Sequence, residues 1–337
     1  MSAMKRALLA LLFAALACAQ VKITPSGGKV SIEIADKPFS DFYVSGKAFN
    51  AEVTKPYLWP LRAPSGTYIT RAWPMEEVAE EAGEKKPVRG RAPEFDHQHQ
   101  RGLWFAHDDV NKLDFWNNEW SYVTEQHRKN LGRISLKQLG EVKSGQDRGS
   151  IAATFEWGDI ERTGPPIVTE SRVMTFYSDD KLRYFDLDIT LTAIQKVTFG
   201  DGKDGVLGIR LRPLLQEDKD KDHPHLVNAD GLAGEKALWG KPSNWCDYSG
   251  EINGEKVGVA ILDHPENPPH PVRWHARAYG LFAANPFGLS VFTNDKSQNG
   301  AVTLEPGKSL RYQYRIIIHE GDVRDADIAG LWAKYTK

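Results

Sequence analysis

The stretch Leu182-Arg183-Tyr184-Phe185-Asp186-Leu187-Asp188-Ile189-Thr190-Leu191 decides the fold class. In an extended chain, Phe185, Leu187, Ile189 and Leu191 fall on one side. Tyr184, Asp186, Asp188 and Thr190 fall on the other. Apolar and polar residues that alternate at every second position mark a strand with one face buried and one face in water. Residues 310–319 repeat the pattern, with Leu310, Tyr312, Tyr314, Ile316 and Ile318 on one side. Strands are also expected over residues 29–34, 40–44, 134–142, 150–157, 167–177, 205–211, 256–262 and 289–293. Turn formers punctuate them at Ser178-Asp179-Asp180, Asn253-Gly254 and Glu305-Pro306-Gly307. Only one helix announces itself. Ile328, Leu331, Trp332 and Tyr335 recur at helical spacing behind Asp322, which reads as the N-cap. The expectation is an all-β chain, a large antiparallel β-sandwich of supersandwich type with a C-terminal helix.

Composition narrows the function. The 337 residues are 41% hydrophobic and 26% charged, as in an ordinary folded protein. The net charge is −2, so no basic excess draws the chain to nucleic acid or an anionic membrane. Ten Trp, eleven Tyr and fourteen Phe point to strands and aromatic platforms. At the N-terminus, Lys5 and Arg6 precede an apolar run over residues 7–17 and the small-residue site Ala17-Cys18-Ala19. That is the layout of a signal peptide, residues 1–19, cleaved after Ala19 to leave one β-sandwich domain over residues 20–337. Lipid attachment at Cys18 is the alternative, but Ala15 is smaller than the aliphatic residue expected three positions before a lipidated Cys. Beyond the leader, no apolar run approaches the ~20 residues that span a bilayer. The expectation is an exported protein, periplasmic or extracellular, in which Cys246 has no second Cys to pair with.

Three clusters carry chemistry. The first is Asp96-His97-Gln98-His99-Gln100-Arg101-Gly102-Leu103-Trp104-Phe105-Ala106-His107-Asp108-Asp109. If this runs extended, His97, His99, Arg101 and His107 share a face. The three imidazoles would then transfer protons beside an anchoring guanidinium. His97 and His99, two apart, would equally begin a divalent-metal site; no other cofactor is expected. The second cluster holds Asn111, Asp114, Phe115, Trp116, Asn117, Asn118, Glu119 and Trp120. Rings beside planar polar groups suit sugars, whose C–H faces stack while their hydroxyls hydrogen-bond. The third runs from Asp263 to Trp274, where four prolines stiffen a loop presenting His264, His270 and Trp274. Arg210 adds a lone charge to an apolar strand. Asp222, His223 and His225 read as a solvated loop. Each cluster has a structural alternative as a solvated turn, core aromatics or a surface loop. The chain has no nucleotide-binding Gly-loop, no Gly-x-Ser-x-Gly and no His-Glu-x-x-His.

The segments Lys55-Pro56-Tyr57-Leu58-Trp59-Pro60, Asp96 to Phe105, Asp263 to Trp274 and Asn285-Pro286-Phe287-Gly288 resemble a bacterial family of unknown function labelled methane-oxygenase PmoA-like. More loosely, the pattern resembles the galactose-mutarotase-like supersandwich, with its Leu304-Glu305-Pro306-Gly307 turn before a late strand. The second resemblance implies a small-molecule carbohydrate as ligand, held in a concave sheet face. The expected function is therefore an exported carbohydrate-active protein of epimerase, lyase or hydrolase type. Its candidate acid–base groups are His97, His99 and His107. Its candidate substrate contacts are Arg101, Asn111, Asp114, Trp116, Arg210, His264, His270 and Trp274. A non-catalytic carbohydrate-binding protein is the alternative from another class. A metal-dependent oxygenase is what the PmoA-like label implies.

Overall fold

The computed structural model describes residues 20–49, 51–76, 97–117, 129–217 and 225–337. The leader, residues 77–96 and 118–128 (with Asp96, Asn118, Glu119 and Trp120) and residues 218–224 (with Asp222 and His223) lie outside the described residues.

The chain alternates between two eight-stranded sheets. It opens the first with β1 (Val21–Ser26), β2 (Lys29–Ile34), β3 (Lys37–Tyr43), β4 (Tyr57–Trp59) and β5 (Leu103–His107). It builds the second with β6 (Gly132–Lys143), β7 (Arg148–Asp159), β8 (Val168–Tyr177) and β9 (Arg183–Ala193). It returns to the first for β10 (Gly205–Arg210), then to the second for β11 (Leu226–Asn228), β12 (Trp245–Ile252) and β13 (Glu255–Asp263). β14 (Arg273–Ala276) and β15 (Leu281–Asn285) finish the first sheet, and β16 (Ser309–Glu320) finishes the second. The spatial orders are β1-β2-β3-β4-β5-β10-β15-β14 and β11-β12-β13-β16-β9-β8-β7-β6. The ladders within both sheets are antiparallel. Among the described residues strands account for 50% and helices for 8%, the β-sandwich the alternation predicts.

Along β9 burial alternates at every residue, with Phe185, Leu187, Ile189 and Leu191 inside. Between the sheets, Phe39 and Phe42 of β3 meet Phe176, Phe185 and Phe155 edge-on at 6.1–6.2 Å. Phe105 of β5 meets Trp157 and Tyr312 across the same gap. One ion pair is sealed into this aromatic layer. Arg172 Nε lies 2.6 Å from Glu170 Oε1, and Trp157 Nε1 donates to Glu170 Oε2 at 2.8 Å. The Arg172 guanidinium lies over the rings of Phe155 and Phe42.

The described residues also form three short α-helices: α1 (Glu235–Leu238), α2 (Leu289–Thr293) and α3 (Ile328–Tyr335). Residues 289–293, expected as a strand, are α2, which ends on Asn294 in the left-handed region. Asp327, rather than Asp322, caps α3, its carboxylate accepting from the Gly330 amide at 3.2 Å. Asp322 instead closes the preceding turn, accepting from the amides of Arg324 and Asp325. α3 lies against the second sheet, where Tyr335 stacks on Arg315 and Trp332 Nε1 donates to the Asp263 carbonyl. Among the described residues no helix is long and apolar enough to cross a membrane.

Candidate functional site

Phe105 points into the core, so its neighbour Trp104 must point to the other face of the first sheet. Cross-strand partners share a face. Tyr57 and Gly208 pair with Trp104, and Ala283 and His275 continue the row across β15 and β14. This face, turned away from the second sheet, gathers buried aromatic and charged groups. Trp116 crosses Trp104 at 4.9 Å, and Gly208 leaves room for both indoles. Lys55 Nζ lies 5.9 Å from the Trp104 ring and donates to the Trp116 carbonyl. Burial pushes the Lys55 amine down to about 7, against the opposing pull of Asp114. The Arg101 guanidinium lies 5.7 Å over the ring of Tyr57.

At the end of this row the turn 97–100 folds over. Gln100 N donates to the His97 carbonyl, and Arg71 Nη2 donates to the carbonyls of His97 and Gln100. Arg210, at the end of β10, donates to Gln100 Oε1 at 2.6 Å and lies 4.7 Å over Tyr279. His97 stacks on the same Tyr279, with ring centroids 5.4 Å apart. His99 is buried, and its pKa is held well below the ordinary imidazole range. Burial is the main cause, followed by Lys55, His97, Arg71 and Arg210. His99 is therefore a neutral imidazole at neutral pH. Of the buried donors on this face, Trp104 Nε1 has no hydrogen-bond partner among the described residues, and Tyr57 Oη has only the Arg101 guanidinium beside it. Such groups cost ~1–3 kcal/mol each when left unpaired.

The sequence matches the DUF6807 family, described as a family of unknown function, over residues 29–333. The chain belongs to the DUF6807 family. This family, rather than the PmoA-like label, is what the comparison supports. A search of curated proteins gives no match. Among solved structures, this DUF6807 chain is similar to heparan sulfate lyase HepC from Pedobacter heparinus, at 6% identity and a TM-score of 0.41. That match covers 91% of this chain but only 36% of the lyase. A putative aldose 1-epimerase from Klebsiella pneumoniae is 10% identical over 94% of this chain and 86% of its own, at 0.41. A galactose mutarotase-like protein from Clostridium acetobutylicum is 9% identical over 89% of this chain and 98% of its own, at 0.36.

The sequence-predicted residues of this DUF6807 protein separate into groups. His97, His99, Arg101 and Arg210 come together, with Asp114 close enough to act on Lys55. Asp114 also closes the turn below Trp116, accepting from the amides of Trp116 and Asn117. His107 does not share their face. Gly102 sits at φ +54°, which breaks the two-residue period between Arg101 and the strand. His107 consequently points inward, against Phe287. Asn111 holds a turn elsewhere, bonding Lys196 and Thr198. Trp116 and Trp274 are fully buried rather than open platforms, and Trp274 Nε1 donates to the Ser243 carbonyl. His264 and His270 belong to the proline loop at the far end of the strands. There His264 packs on Tyr335, and His270 Nδ1 meets Asp263 at 2.7 Å. His225, expected in a solvated loop, is buried on the Leu215 carbonyl. His97 and His99 stand 5.7 Å apart, and no group of three or more metal-ligating side chains occurs among the described residues.

Sequence reasoning missed Lys55, Tyr57, Arg71 and Tyr279 as members of the site. Lys55 had a readable signal, a lone charge before Pro56-Tyr57-Leu58-Trp59 in a stretch that is buried throughout.

Proposed function

We propose that this face of the first sheet binds a sugar or sugar derivative and that the protein is an exported carbohydrate-active enzyme. The carrying observation is a buried cluster of donors with too few acceptors: Trp104 Nε1 has no partner among the described residues, and Tyr57 Oη meets only Arg101, with Lys55 alongside. A ligand dense in oxygen acceptors would supply the partners these donors lack. His99, neutral beside them, is the acid–base candidate nearest this set, and Arg101 and Arg210 are the anchors.

The test is a ligand-observed NMR screen of mono- and disaccharides, keto sugars included, against the protein and its Tyr57→Phe variant. That variant deletes a hydroxyl whose neighbour is the Arg101 guanidinium, so it should cost at most about 1 kcal/mol of stability and leave the fold intact. Affinity for the sugar that binds should fall about tenfold, the equivalent of ~1.4 kcal/mol. New product resonances would mark an enzyme, and binding without conversion a binding protein. A silent panel, or native affinity in Tyr57→Phe, would remove the sugar reading from this face. Export rests on Lys5, Arg6 and the apolar run behind them. Intact mass of protein from the cell envelope should begin at Gln20, and a lipid adduct on Cys18 would refute simple cleavage.

A further inference from the structure

The first cluster ends in His107-Asp108-Asp109, and the loop Gly200-Asp201-Gly202-Lys203-Asp204-Gly205 lies directly on it. A Cβ on Gly202 would stand 1.9 Å from Asp108 Oδ1, and one on Gly205 would stand 2.5 Å from His107 Nδ1. Only backbone fits there. His107 Nε2 is 2.8 Å from the Gly200 carbonyl, which can only accept, so Nε2 carries the ring proton. In a neutral ring that leaves Nδ1 a bare lone pair. It lies 3.5 Å from Asp108 Oδ1, and neither buried atom meets another donor among the described residues, while the Asp204 amide donates to the other carboxylate oxygen, Oδ2, at 3.3 Å. The His107 side chain is fully buried, whereas that of Asp108 is 21% exposed.

Two lone-pair atoms facing each other in a buried site repel unless a proton lies between them. Placing that proton on His107 would charge a ring packed against Phe287. Placing it on Asp108 leaves both groups neutral. Burial and the anions Asp204 and Asp114 favour the second arrangement, against the Asp204 amide on Oδ2 and the cation Lys203. Asp108 follows Trp104 and Ala106 in the alternation of β5, so it continues the site's own face, about 13 Å along the strand from Trp104.

We propose that Asp108 holds a proton at neutral pH, backed by His107, and is the general acid at this end of the sugar-binding face. The inference rests on the sugar reading above. Burial, Asp204 and Asp114 push the Asp108 carboxyl up to about 8. Burial pushes the His107 imidazole down to about 4.

A water-soluble diazoacetamide tests it without a known substrate. The carboxyl proton moves to the diazo carbon, N2 leaves with the C–N electron pair, and the carboxylate oxygen bonds that carbon to form an ester. At pH 7 peptide mapping should find the ester on Asp108 at least about tenfold ahead of surface carboxylates, which are ionised there. Labelling should fade as the pH rises past about 8, and Asp108→Asn should lose this ester alone. An Asp108 ester appearing only below about pH 5, in step with the surface carboxylates, would overturn the proposal. So would no ester at any pH, since the carboxyl would then be closed to ligand. Both outcomes are read in the native protein, whether or not the variant folds. With a converted sugar, Asp108→Asn should lower turnover about 100-fold or more while binding holds. Unchanged turnover would also overturn it. A sugar that binds without an Asp108 ester fails this inference alone. An ester without any bound sugar fails the sugar reading alone.

Discussion

Glu170→Ala is expected to destabilise the protein by about 3–5 kcal/mol. Arg172 would keep its charge in the aromatic layer with its 2.6 Å carboxylate partner gone, and Trp157 Nε1 would lose its acceptor. Both ionic side chains are buried, so water cannot substitute for what is removed without opening the sheets. Glu170→Gln, which keeps an acceptor for Trp157, should cost less. Replacing the pair together, as Glu170→Leu with Arg172→Met, should recover much of the loss, because no unpaired charge is left behind. Urea unfolding curves on the three variants decide the point. A Glu170→Ala loss below about 1 kcal/mol would show that Arg172 finds another partner or reaches solvent.

Gly102→Ala should be nearly as damaging, for a different reason. At φ +54° any Cβ carries a penalty of about 1–2 kcal/mol. This Cβ would also stand 2.0 Å from the Leu58 carbonyl oxygen and 2.9 Å from Trp59 Cβ. The first obstacle is backbone of the neighbouring strand, so β4 and β5 must move apart. A total of about 3 kcal/mol or more is expected. Because Gly102 sets the angle at which Arg101 leaves the strand, sugar affinity should fall with stability. Thermal unfolding with and without the sugar measures both effects. A melting temperature within a degree or two of the native value would mean that the turn relaxes at little cost.

The sandwich was legible because a half-buried strand writes its environment into alternate residues. Phe185, Leu187, Ile189 and Leu191 are buried as that pattern requires. Residues 289–293 misled because five residues are too few to separate a period of 2.0 from one of 3.6. Asp322 misled because an Asp that closes a turn and one that caps a helix use the same carboxylate-to-amide bond. Part of the site could be read locally, as His97, His99 and Arg101 are neighbours in sequence. The rest could not. Lys55 and Arg210 each stand out as a lone charge among apolar residues, but they, with Arg71 and Tyr279, join the others only through the pairing of β4, β5, β10 and β15, which no local pattern encodes. The left-handed Gly102 also switches the face that His107 takes, and composition carries no trace of that. Trp116 and Trp274 show the same limit, since a core indole and a sugar platform are the same residue until burial is known.

The face of β5 differs at its two ends. Arg101 and Arg210 stand at one, and Asp108 with Asp204 at the other, separated by a run of aromatic and small residues. A ligand long enough to touch both therefore has only one favourable way to lie. Reversed, the acceptors that suit the guanidinium groups would meet Asp204, and donors would meet Arg101 and Arg210. A chain-like molecule would be read with a fixed polarity, and its two termini would be chemically distinct to the protein even where its repeating units are identical.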